Sequence, residues 1–185
     1  LVFSISFLAI GDQQMQAFIK MPFDIRELVP FVLAGIFCIM PITCSSISLE
    51  GKEWWIVQTL PIQLKDLIRA KILMNLMVVM PFYVLAEILV CIAIKPAGIQ
   101  LLWMVCFPAV HILWSAVSGI FINLKLPTFN WESEVYVVKQ SAATFVGMLF
   151  GLLSGIVPMV VLVVWQNLSV NLFYSLWIVV LVIVT

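Results

Sequence analysis

Six apolar runs separated by polar connections organise this chain: 1–10, 28–48, 72–94, 99–122, 145–164 and 172–185. The middle four, at 1.5 Å per helical residue, measure about 30–36 Å, enough to cross a hydrocarbon core of about 30 Å. The first and last are too short to span as they stand, and the chain opens and closes inside them. That pattern predicts a piece of a longer membrane protein with a single domain over 1–185. The opening run lacks a basic leader and a small-residue cleavage site, so it does not read as a signal peptide. Helices are expected throughout, because an open sheet leaves backbone groups unpaired in lipid and the ten-residue alternation of a barrel is absent. Pro41, Pro81, Pro108 and Pro158 fall inside the runs, where kinks are expected. The predicted fold is an all-α polytopic bundle of about six transmembrane helices.

Composition strengthens this reading. Hydrophobic residues make up 64% of the chain and charged residues 10%, and the mean hydropathy is +1.22. A soluble domain carries roughly 25% charge. Nine basic residues balance nine acidic ones, so nothing points to nucleic acid. Cys38, Cys44, Cys91 and Cys106 lie in apolar runs with no CxxC pair, and one histidine is too few for a Cys/His metal site. They read as small apolar side chains within helices.

Charge placement sets the topology. Loop 49–71 holds Lys52, Lys65, Arg69 and Lys71, and loop 123–144 holds Lys125 and Lys139; the three connections on the other side hold Lys20, Arg26 and Lys95. The six-to-three excess places 49–71 and 123–144 in the cytoplasm, in a multi-pass protein of the cell membrane.

The stretch 45–71 carries the most information. Trp54 and Trp55 suit the headgroup layer. Beyond Pro61, Leu64, Leu67, Ile68 and Ile72 recur at i, i+3, i+4 and i+8, with Lys65, Asp66, Arg69 and Lys71 between them. This predicts an amphipathic helix that lies at the interface and then turns into the third span. It could be a surface anchor with no partner, or a docking element that receives force from a cytoplasmic protein.

The order of residues here resembles type-two ABC exporter permeases. Ser45, Ser46 and Ser48 are followed by Glu50, Gly51, Lys52 and Glu53, then by Leu60-Pro61, then by Lys71. The family places a cytoplasmic coupling segment of this pattern between its second and third helices. Trp54-Trp55 departs from the Gly-Thr common there, which points to a divergent, Firmicutes-like branch. The segment 127–140, PTFNWESEVYVVKQ, is similar to the second cytoplasmic loop of such exporters. The resemblance covers most of the chain, but only these two loops are specific. It implies a permease that moves a substrate using ATP hydrolysis by a separate ATP-binding subunit, which would hold the ATP and magnesium. It also implies a dimer of permease domains. Glu50, Gly51, Lys52, Glu53, Trp54, Trp55, Leu60, Pro61, Arg69 and Lys71 would form the coupling loop. Trp131, Glu132, Glu134 and Lys139 would either make a second contact with the ATPase or cap two helices. Accordingly, this chain itself carries no P-loop: Gly51-Lys52 is its one Gly-Lys pair, with Ser46 and Glu53 where glycine and serine or threonine belong.

Within the spans, Glu87 stands alone in the third run. A charged, lipid-facing carboxylate costs about 2.5–3.5 kcal/mol on insertion scales, so Glu87 should face the bundle. It reads as part of a substrate path, a proton-sensitive position, or a packing hydrogen bond, with His111 as candidate partner. Gly147, Gly151 and Gly155 form two overlapping GxxxG patterns, which suit close helix packing within the chain or in a dimer. HExxH and GxSxG are absent, so no enzyme is expected. Two alternatives to the exporter remain: a non-transporting membrane scaffold, and a proton-coupled carrier that works through Glu87.

Overall fold

A computed structural model describes residues 25–39, 42–59, 61–164 and 169–184. The expected first run at 1–10 and Leu60 lie outside the described residues, as do the side chains of Lys52 and Trp54. Seven α-helices occur among the described residues, with no strand: α1 (Ile25–Cys38), α2 (Trp54–Thr59), α3 (Leu64–Ile94), α4 (Ile99–Lys125), α5 (Glu134–Gln140), α6 (Ala142–Val164) and α7 (Val170–Val184). Two 3-10 segments, Ile42–Cys44 and Ser48–Glu53, stand between α1 and α2.

Four stretches are long and apolar enough to cross a membrane: Glu27–Gly51, Leu64–Ile94, Ile99–Lys125 and Glu134–Val164. The final run, as α7, has 15 residues, about 22 Å. It falls short of a span, as its length in the sequence suggested.

Two expectations about these runs need correction. The run 28–48 is not one helix, because α1 stops at Cys38 and the chain continues through the turn at Ile42–Cys44. The reason lies in the residues that follow. Pro41, where a kink was expected, lies outside the described residues. Ser45 Oγ and Ser46 Oγ donate to the carbonyls of Ile42 and Thr43, at 3.2 and 3.1 Å. Short polar side chains here compete with the helical ladder. Nor is there an interfacial helix that turns at residue 72. Residues 64–94 form one continuous 31-residue helix, because no glycine or proline interrupts 64–80 and helix formers fill the junction. The helices likewise continue through Pro81, Pro108 and Pro158.

Helix α4 is the hub. Met104, Phe107, His111, Ile112, Ser115, Ala116, Gly119, Ile120 and Asn123 are buried along it, a stripe at three- and four-residue spacing that is wide enough to meet several neighbours. It packs against α1, α3, α6, α7 and the Ile42–Cys44 turn. Near the α7 end, aromatic rings form the contact. Phe31 meets Phe107 edge-on at 4.8 Å and stacks on Tyr174 at 5.1 Å, and Tyr174 stacks on Trp103 at 5.6 Å. The Tyr174 hydroxyl donates to the Glu27 carbonyl at 2.6 Å, which ties α7 to the start of α1. On the other flank, the Tyr83 hydroxyl donates to the Val105 carbonyl at 2.6 Å, joining α3 to α4.

Helices α1 and α6 approach through glycine. A methyl group at Gly155 would lie 2.6 Å from the Gly35 Cα, and one at Gly151 would run into the Cys38 carbonyl. Gly147 is buried on the same helix. Two of the three glycines of the GxxxG pattern therefore pack within the chain. At Gly35 the reciprocal methyl would sit at an ordinary 3.8 Å from Gly155 Cα. Gly151→Ala should consequently destabilise the bundle by roughly 1–3 kcal/mol through overpacking. Gly35→Ala should be neutral or stabilising by roughly 0.5–1 kcal/mol, because alanine is the better helix former. Thermal unfolding of the two variants in detergent checks the contrast.

Candidate functional site at the polar end of the bundle

Between α1 and α2 the described chain has only two short 3-10 segments, so the backbone groups these leave unpaired need partners from elsewhere. Two asparagines on the flanking helices supply them. Asn123, fully buried near the end of α4, accepts from the backbone N–H groups of Ile47 and Ser48 at 2.8 and 3.1 Å. Its Nδ2 donates to Ser48 Oγ at 2.7 Å. Asn75 on α3 accepts from the Ile42 N–H at 3.0 Å. Lys71, one turn before Asn75, donates to the Ser46 carbonyl at 2.8 Å and to Glu50 Oε1 at 2.5 Å.

The loop between α4 and α5 closes over the same segment. Thr128 N–H donates to Ser48 Oγ at 3.0 Å, and Trp131 Nε1 donates to the Ser48 carbonyl at 2.8 Å. Ser48 thus receives Asn123 and Thr128 on its hydroxyl and Trp131 on its carbonyl. The Trp131 ring covers Gly51, where an added methyl would lie 3.1 Å from the indole. Gly51 also has φ +55° and ψ −130°, a conformation that suits only glycine. The two loops that charge placement assigned to one side of the membrane are therefore joined at one end of the bundle. Helix α5 follows, and the carbonyl of its buried Val137 accepts from Thr144 Oγ1 at 3.0 Å. Ser141 Oγ accepts the Thr144 N–H at 3.2 Å and caps α6.

The expected coupling-loop residues divide into two groups. Glu50, Gly51 and Lys71 are internal ties: two form an ion pair and the third lies under Trp131. Glu53, Trp55, Pro61 and Arg69 are exposed, Trp55 to 62%. Arg69 pairs with Asp66 at 3.8 Å on the surface, a contact worth little to stability. In the second loop, Trp131 is half-buried as described, whereas Glu132, Glu134 and Lys139 are exposed.

Glu87 and His111 do not meet. His111 Nδ1 lies 2.9 Å from the Phe107 carbonyl, and Trp177 Nε1 on α7 lies 3.3 Å from His111 Nε2. An indole N–H can only donate, so Nε2 accepts it and Nδ1 carries the proton. The histidine is a packing link between α4 and α7. Glu87 instead receives the Cys91 thiol on Oε1, at 3.7 Å, one turn along its own helix. Its other oxygen, Oε2, is buried with no hydrogen-bond partner.

Asn75, Asn123, Thr128 and Trp177 are central here and were not singled out by the sequence reading. Asn75 carried a usable signal, since an amide inside an apolar run must find polar company within the bundle, whereas Asn123 falls at the start of the polar connection 123–144. No group of three or more metal-ligating side chains occurs among the described residues. Compared with known protein families, with characterised proteins and with solved structures, the chain matches none.

The network makes a direct stability prediction. Asn123→Leu removes both acceptor contacts and leaves the Ile47 and Ser48 N–H groups orphaned, at roughly 1–3 kcal/mol each. Denaturant titration should show that loss. Hydrogen exchange should accelerate first at the amides of Ile47 and Ser48, with α6 and α7 affected less.

Proposed function

We propose that this chain is the transmembrane permease part of an ABC exporter, working with a separate ATP-binding subunit in the cell membrane. The observation that carries the reading is the polar network around Ser48. Helix α2 exposes Trp55 and Ile56 and continues directly from the Ser48–Glu53 segment. That segment and the residues just before it are bonded to α3 through Lys71 and Asn75, and to α4 through Asn123. A displacement delivered to α2 therefore reaches two long helices through hydrogen bonds and an ion pair. Loop closure by Trp131 adds the connection into α5 and α6.

In this reading the docking face consists of α2, the exposed first turns of α3 with Arg69, Glu132 just before α5, and Glu134 and Lys139 on α5. The coupling element is then the short helix over 54–59 rather than a separate helix over 61–71. Both loops would face the cytoplasm, as their basic excess favours. ATP and magnesium would be bound by the partner, whose hydrolysis cycle moves α2. Two permease domains would complete the transporter, with lipid around them.

The test is co-purification of the full-length protein from native membranes in mild detergent. A stoichiometric P-loop ATPase is expected. Trp55→Ala and Arg69→Glu should each weaken its retention, the tryptophan by tenfold or more if it is an interface anchor worth about 2 kcal/mol. Membrane insertion and thermal stability should be unchanged in both. A folded protein that brings down no P-loop ATPase, or retention unaffected in both variants, overturns the assignment.

A further inference from the structure

A cation at the end of the hub helix has no anion to answer it. Lys125 is the last residue of α4 and is exposed. Lys71 pairs with Glu50 and Arg69 with Asp66, whereas Lys125 pairs with no carboxylate among the described residues. Glu53, Glu132 and Glu134 are exposed at the same end of the bundle, and none of them bonds to it. The Lys125 ammonium instead lies over the Phe121 ring, 4.8 Å from its centroid and one turn back along α4. At an exposed site that attraction is weak. It orients the side chain but leaves the charge open to a stronger partner.

The position of this pair on α4 decides what that partner is. Gly119, Ile120 and Asn123 are buried in the bundle, and by helical spacing Phe121 and Lys125 stand on the opposite side. Phe121 is 58% exposed although it belongs to the apolar run 99–122. Leu113, Val117 and Phe121 lead up to Lys125 at four-residue intervals, and Leu113 and Leu124 are exposed as well. In a helix that crosses a membrane, such a face meets acyl chains. Lys125 lies three residues past the run, about 4.5 Å along the axis. The headgroup layer occupies about 5–8 Å outside each face of the hydrocarbon core. Because the side chain folds back over Phe121, its ammonium stays at the level of that layer and does not reach away into water. The anions found at that level, on a lipid-facing side, are phospholipid phosphates.

We propose that this face of α4 binds an anionic phospholipid. The Lys125 ammonium donates to the lipid phosphate, and an acyl chain lies along Phe121 and Val117. A lysine serves phosphate as a flexible point charge with three donors. Its methylene stem stays on the apolar side, packed near Phe121, while the charged head remains among the headgroups. An anionic lipid is favoured over a zwitterionic one because no choline or ethanolamine of its own offsets the phosphate. The contact requires only that α4 crosses a bilayer. It does not depend on the exporter assignment, because it is read with no ATPase present.

Photolabelling of the full chain in phosphatidylcholine nanodiscs tests the proposal. A trace of phosphatidylglycerol carrying a photoreactive group near its glycerol backbone is the probe, phosphatidylcholine with the same group is the baseline, and adducts are mapped by mass spectrometry. The phosphatidylglycerol probe should label residues 121–126 about fivefold more than the baseline probe, the factor for one lysine at an anionic lipid surface. Lys125→Arg should keep that preference. Lys125→Gln should abolish it, and Lys125→Glu should turn it into a preference for phosphatidylcholine. Lys125 is exposed and bonds to no other described side chain, so all three variants should fold, and labelling elsewhere on the chain should be unchanged. Equal labelling of residues 121–126 by both probes in the wild type, or an undiminished preference in Lys125→Gln, overturns the proposal. Loss of the preference when glycerol phosphate is added to the buffer would assign Lys125 to a free phosphate and overturn it as well.

Discussion

The need to satisfy the backbone of an irregular segment, away from water, governs this structure. Over Ile42–Glu53 the chain leaves the α-helical ladder for two short 3-10 segments, which pair only some of its backbone groups, and the rest must be met by something else. Asn75 and Asn123 answer for three of those N–H groups, and Lys71 and Trp131 for two of the carbonyls. These side chains come from α3, α4 and the loop after α4. The irregular segment therefore fixes the relative positions of the elements around it. Were it a plain helix it would satisfy itself and bind nothing. Its irregularity is what makes the polar end of the bundle a single connected unit.

Packing elsewhere follows a different rule. Where α1 meets α6, small residues let backbones approach, and where α4 meets α1 and α7, aromatic rings fill the space. Gly119 belongs to the first kind: a methyl there would collide with Thr43 in the turn after α1. The hub helix thus presents three surfaces along its length, with rings near Phe107, small residues at Ser115–Gly119 and an amide at Asn123. Each suits the element that crosses it.

Much of this was legible in the sequence. The long helices follow from apolar length alone, and the alternation of the runs put loops 49–71 and 123–144 at one end, where Ser48 meets Thr128 and Trp131. The close-packing role of Gly151 and Gly155 could be read from their spacing, though not which helix they would meet. What could not be read depends on contacts distant along the chain. The break after Cys38 is sustained by Asn75 and Asn123, 33 and 76 residues from the groups they bond, and no local periodicity records such pairing. Glu87 and His111 were natural partners as the two ionisable groups of adjacent spans. Trp177 and Cys91 took those places because helix rotation, not residue type, decides which side chains face one another. The amphipathic pattern over 64–72 was real, but it marks the first turns of a longer helix.

Helix α3 has a consequence of its own. With 31 residues it is about 46 Å long, well beyond a hydrocarbon thickness of about 30 Å. Set upright in a bilayer it would project about three turns past the surface, and those turns carry Lys65, Asp66 and Arg69. The helix passes that boundary without a break and carries Lys71, with its ion pair to Glu50, in the same stretch.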